Sequence, residues 1–297
     1  MDSDVILNAH TRHVTALLFT PDKTVLLSAG MDNLIQMWTI PDWIQSKSFF
    51  GHTNSVNALA LTAKSDFMIT GSTDNTVRVW HFPSGEIKHI LSGHTKTVSA
   101  VAASPVANYI ATGSYDGTVK VWDVVSGVEV FSLSEIGRNV SSVTFSPDGR
   151  TLAAGGLGSN FYLWALPSGE LWKQIDAHET AVNSLAFSPN GGLFASIGYE
   201  QRLKIWSTET WQEVHSIALE SRGNDMAFTS NSKKLAVAID YGVRIWNVRT
   251  GEVDVRYELP VKGVYAVAVS PKRRWLAVGS ADGKVWIWEI RKGKKTK

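Results

Sequence analysis

Cysteine is missing from all 297 residues, which excludes disulfides and thiol chemistry and suits a reducing compartment. No stretch approaches the ~18 consecutive apolar residues that a membrane-spanning helix needs. The opening residues, Met-Asp-Ser-Asp-Val-Ile-Leu, carry acid where a secretory leader carries base. The cytoplasm is therefore the expected location. Charge of one sign is scarce too: 29 Lys and Arg stand against 27 Asp and Glu, and a formal net charge of +2 does not by itself imply a nucleic-acid partner. Basic residues concentrate only in Arg291 to Lys297, which reads as a solvated tail. A phosphate-binding loop is absent, because Gly155-Gly156-Leu157-Gly158 lies in a strand-to-strand turn and not before a helix. No His and carboxylate set has metal-ligand spacing, and no loop holds paired carboxylates. Neither a metal nor a cofactor is expected.

What the chain does have is a period. Runs of alternating apolar residues end in Trp38, Trp80, Trp122, Trp164, Trp206, Trp246 and Trp288, at separations of 42, 42, 42, 42, 40 and 42 residues. Within each unit, short β-branched runs alternate with turn clusters such as Ser146-Pro147-Asp148-Gly149, which predicts four short strands and no helix. The period, the four strands and the Gly-His pairs at Gly51-His52 and Gly93-His94 resemble the WD-repeat β-propellers. Trp122-Asp123 is the one literal Trp-Asp pair; the other tryptophans are followed by other residues, at a position that only ends a strand.

The resemblance spans residues 4–290 and implies an all-β, seven-bladed propeller with four antiparallel strands per blade. Nothing after Ile290 can supply an outer strand to the last blade. Val5 to Asn8 aligns with the outer-strand positions, so the N-terminal strand is expected to pair into blade seven and close the ring. Residues 1–290 then form one domain, with residues 4–9 completing blade seven and residues 291–297 forming a basic tail.

Aligning the units on their tryptophans exposes a correlation. Four units open with His10, His52, His94 or His178, and those four carry Ser28, Thr70, Thr112 or Ser196 ten residues before the tryptophan. The units without the histidine have Ala154, Ala236 and Val278 there instead. A buried hydrogen bond predicts this joint loss, since either group alone would be left unpaired. Acids lie six residues before the tryptophan, among them Asp32, Asp74, Asp116 and Glu200. The resemblance implies that His, Ser/Thr, acid and Trp form structural tetrads: His10, Ser28, Asp32, Trp38; His52, Thr70, Asp74, Trp80; His94, Thr112, Asp116, Trp122; and His178, Ser196, Glu200, Trp206. Ser, His and Asp also make a nucleophilic triad, but catalysis needs one exposed nucleophile and not four equivalent copies. No catalytic residue is expected.

The resemblance also makes the upper face, where the opening loops and the turns before the tryptophan strands emerge, the usual contact surface. Turn-tip positions there read Met31, Thr73, Tyr115, Leu157, Tyr199, Ile239 and Ala281, bulkier and more apolar than turn tips usually are. They either meet a partner or fold over the neighbouring blade. Basic residues collect two positions past the histidine, as Arg12, Lys96, Arg138 and Lys262. That column either orients a charged partner or is a solvated rim. The candidate partner site is thus Arg12, Met31, Lys96, Tyr115, Arg138, Leu157, Tyr199, Ile239 and Lys262. The expected function is a non-catalytic scaffold, monomeric by itself, that holds a protein or peptide. One alternative is an enzyme using the central channel, although its inner strands offer Ala16, Ala58, Ala100, Ser142, Ser184 and Ala266, with only Asp225 charged. Another is electrostatic binding of nucleic acid or membrane through the basic rim and tail.

Overall fold

The computed structural model describes residues 3–290; the basic tail lies outside the described residues. Seven four-stranded antiparallel sheets follow one another along the chain. Blade one is typical, with strands a to d, from the axis outward, at Val14–Phe19, Val25–Gly30, Ile35–Thr39 and Gln45–Phe49. The only helical element among the described residues is a 3-10 turn at Pro271–Arg273. Strands b are the most buried, because each is covered on both faces by neighbouring blades, and they read as near-continuous apolar runs such as Leu26 to Ala29.

Local chemistry fixes the turns. A buried hydroxyl at the end of strand a accepts the N–H five residues on: Val25 N to Thr20 at 3.1 Å, Thr151 N to Ser146 at 2.9 Å, and Trp275 N to Ser270 at 2.8 Å. Ring closure follows the expected route. Val5–Asn8 pairs antiparallel with Lys284–Glu289, Val5 facing Ile287 and Asn8 facing Lys284. The Asp4 carboxylate accepts the Glu289 N–H at 2.6 Å.

Every strand a carries a β-bulge after its first residue, which frees the next side chain to turn into the channel. Six of those side chains reach the next blade. Thr15 donates to the Val56 carbonyl, Asn57 to Val98, Ser99 to Val140, Ser141 to Val182, Asn183 to Gly223 and Asn224 to Val264, at 2.5–3.0 Å. The seventh is Tyr265, which instead stacks on His13 of blade one with ring centroids 5.1 Å apart. Hydrogen bonds therefore stitch six blade junctions at the axis, and an aromatic stack covers the seventh.

Candidate functional site

Four blades hold a complete hydrogen-bonded chain. In blade two, the Trp80 indole donates to Thr70 Oγ1 (3.0 Å), which lies 2.6 Å from His52 Nε2, while His52 Nδ1 lies 2.8 Å from Asp74. Blade one repeats this with Trp38, Ser28, His10 and Asp32, and blade three with Trp122, Thr112, His94 and Asp116. Blade five joins Trp206, Ser196, His178 and Glu200. A carboxylate only accepts, so Nδ1 carries the proton and Nε2 accepts from the hydroxyl. Burial pushes His52, His94 and His178 down, outweighing their acidic partners, so these rings are neutral at pH 7. Burial by itself would raise Asp74 and Asp116. The hydroxyls of Thr76 and Thr118, helped by His52 and His94 and by backbone N–H groups, overcome it and hold both acids at about 2.

These chains have the polarity of a nucleophilic triad and lack its access. Ser28, Thr70, Thr112 and Ser196 are fully buried, each beneath a tryptophan, so no substrate reaches the oxygen. Their work is mechanical: they tie the opening loop of each blade to its inner hairpin. Where the hydroxyl is missing the cost is visible, since the indole nitrogens of Trp164 and Trp246 are buried without a partner.

On the upper face, Tyr115, Leu157 and Tyr199 are 43%, 52% and 44% exposed at the turn tips of blades three, four and five. Arg222 lies over the Tyr199 ring, 4.1 Å from its centroid. Burial and the nearby Tyr199 push the Tyr115 phenol up while Arg222 opposes them. Arg12, Lys96, Arg138 and Lys262 are exposed on the same face. Met31 is only half-buried, and its backbone N–H donates to His13. In the channel, the Asp225 carboxylate accepts the N–H of Met226 (2.8 Å) and of Val267 in the next blade (2.9 Å). One oxygen is thus engaged within blade six and the other joins blade six to blade seven. Desolvation nonetheless raises its pKa to about 6.

A family model described as WD domain, G-beta repeat matches residues 3–39, 43–81, 85–123, 128–165, 169–207 and 256–289. The chain belongs to the WD-repeat family. Among curated proteins no match is found. The matched segments leave out residues 208–255, which contain most of blade six, and the strand register of that blade differs from the others.

In the other six blades the strand-b residue facing the closing tryptophan sits twelve positions before it, as Phe194 faces Trp206. In blade six Leu235 faces Trp246, eleven before it. The b–c hairpin is one residue shorter, so counting back from the tryptophan misplaces its columns by one. Ile239 is consequently not a turn tip. It ends strand b, pairs with Gly242 and is 2% exposed, so it offers no contact surface and leaves the candidate list. Tyr241 is the exposed residue of that turn. The same shift makes Val237, not Ala236, the counterpart of the tetrad hydroxyl. Gly242 allows the tight turn, because a Cβ there would sit 1.9 Å from the Tyr257 carbonyl. Arg222 lies one residue past the column that holds Arg12, Lys96, Arg138 and Lys262, so that column does not reveal it.

Below, Trp43 and Trp211 hold the left-handed backbone that glycine holds at Gly85 and Gly127, with φ of 56° and 57°. Burial offsets the strain. Trp43 packs edge-on against Trp275, and Trp211 against Phe187, Phe194, Phe161 and Trp172. Both are packing residues of the lower rim.

Proposed function

We propose that this WD-repeat propeller is a rigid scaffold that holds a partner protein on its upper face, over blades three to five. WD-repeat propellers are commonly protein-interaction scaffolds and typically not enzymes. The observation that carries the reading here is the cluster of Tyr115, Leu157 and Tyr199, three large side chains left exposed on consecutive turns, with Arg222 stacked on one and exposed Arg138 on the same face. Rigid aromatic groups beside arginine are the side chains that dominate binding energy at interfaces. The matching partner offers apolar anchors flanked by acid. Blade four, which presents Leu157, lacks the tetrad, so its turn is held by fewer hydrogen bonds and adapts more readily.

The test is affinity capture with quantitative mass spectrometry, comparing wild type with a Tyr115→Ala, Arg138→Glu, Tyr199→Ala triple variant. Trp172→Ala, at an exposed site on the outer strand of blade four, serves as the control. Both variants must first melt like wild type. The reading expects the triple variant to lose partners that the control keeps; the reverse pattern assigns binding to a different surface.

A further inference from the structure

A comparison of the blades with one another exposes an unpaired cation on the outer circumference. Two residues before the closing tryptophan, blades two, three, five and six carry Arg78, Lys120, Lys204 and Arg244. Lys120 pairs with Glu129 at 2.9 Å and also donates to Ser132 at 3.2 Å. Lys204 pairs with Glu213 at 2.9 Å, and Arg244 with Glu220 and Glu258 at 2.6 and 2.8 Å. Arg78 has no hydrogen bond or ion pair with any described residue, and its Nε is buried.

The strand register shows how blade two differs. Glu129 and Glu213 face the closing tryptophans of their blades, and Ser132 and Ser216 face Lys120 and Lys204. In blade two the same positions are Ile87, facing Trp80, and Ile90, facing Arg78. Both isoleucines point a large apolar surface at water, at 40% and 51% exposure. The guanidinium lies over the Trp80 ring, 6.0 Å away, and rests against Gly51, where a Cβ would come within 2.7 Å of Nη1. Phe50, next along the chain, is 69% exposed. The acid and hydroxyl are gone, the cation is kept, and apolar side chains frame it.

We propose that the outer surface of blade two, around Arg78, binds an extended segment of a partner protein in which an acidic side chain is flanked by aliphatic residues. The ligand carboxylate takes the place that Glu129 and Glu213 fill in blades three and five, accepting from the guanidinium, and its aliphatic neighbours cover Ile87, Ile90 and Phe50. A guanidinium left partly desolvated without an acceptor favours such a carboxylate over its neutral amide. This surface is separate from the upper-face cluster, so either can fail alone.

The probe is a fluorescent peptide, acetyl-Leu-Glu-Leu-Glu-Leu-amide, titrated in parallel with its Leu-Gln-Leu-Gln-Leu counterpart. The acidic peptide should bind the wild-type chain roughly tenfold or more tightly than the amide. Arg78→Gln should erase the preference. Ile87→Glu supplies the missing acid within the chain, so it should erase the preference while raising the melting temperature, which separates lost binding from lost folding. Tyr115→Ala with Tyr199→Ala should leave it intact. Equal binding of the two peptides, binding of neither, or a preference that survives in Arg78→Gln or Ile87→Glu overturns the proposal. So does concentration-dependent self-association in sedimentation that Arg78→Gln abolishes, because the occupant is then a second copy of this chain.

Discussion

Thr70 is the hub of the blade-two tetrad, and replacing it with valine, which keeps the shape and removes the hydroxyl, isolates what the chain of hydrogen bonds contributes. Two groups lose their partner at once: the Trp80 indole N–H and His52 Nε2, both beneath a surface that admits no water. Each orphaned group costs about 1–3 kcal/mol, so Thr70→Val should destabilise by about 2–6 kcal/mol. His52→Leu orphans fewer groups, since Asp74 still accepts from Thr53 and Thr76. The double variant should cost less than the two single costs together, by about 1–3 kcal/mol, because the groups each change strands are then removed together. Urea unfolding followed by tryptophan fluorescence reads all three. His81→Ala, exposed at the end of strand c, should stay within about 0.5 kcal/mol of wild type. Additive costs in the cycle would refute the idea that the blades lose histidine and hydroxyl together for energetic reasons.

In blade four Ala154→Ser alone gives the Trp164 indole an acceptor but adds a buried hydroxyl without the histidine that would accept its proton. Only the pair Ala154→Ser with Ile136→His should raise stability, by about 0.5–1.5 kcal/mol, and an unchanged urea midpoint for the pair counts against it. Deleting residues 1–9 strips the outer strand from blade seven, and light scattering should show aggregation; a monomer of unchanged stability means that the ring closes otherwise. Acidification should destabilise the fold in two stages. The buried histidines stay neutral while their unfolded counterparts take protons below about 6.5, and Asp74 and Asp116, held at about 2, lose their contribution as pH falls from about 4 towards 2. Asp225 has the opposite sign. Its folded pKa of about 6 lies above the unfolded value, so the native state takes the proton first and gains up to about 3 kcal/mol between about pH 6 and 4. Asp225→Asn should therefore lose more stability than wild type across that interval, and parallel melting curves would remove the assignment.

The ring was legible because seven tryptophans at one spacing constrain every strand between them, and because Val5 to Asn8 is a visible spare copy of the outer strand. The tetrads were legible because a buried hydroxyl and its histidine are useless apart, which leaves a correlation within one chain. Blade six misled the count. Its two-residue shortfall is in the sequence, but the sequence does not show on which hairpin the loss falls, and a one-residue change there turns a presumed tip into the buried Ile239. Tyr115 and Tyr199 stood in the turn-tip column, but Arg222, whose guanidinium lies over the Tyr199 ring, and the solitary Arg78 lay beyond the columns. Both depend on which side chains meet across blades or across a strand pair, and spacing from the tryptophan carries no information about that.

The antiparallel pairing of Val5–Asn8 with Lys284–Glu289 also sets how the molecule meets force. Asp4 and Glu289 lie side by side, joined by a hydrogen bond, so the described chain enters and leaves the fold at the same end of one strand pair. Tension between them loads a single rung at a time, starting at Val5 and Ile287, and peels the strand as a zipper opens. A pull on Asn8 from the far end would instead shear every rung at once. A propeller tethered by its two termini is thus mechanically soft at the closing strand, whatever its thermal stability.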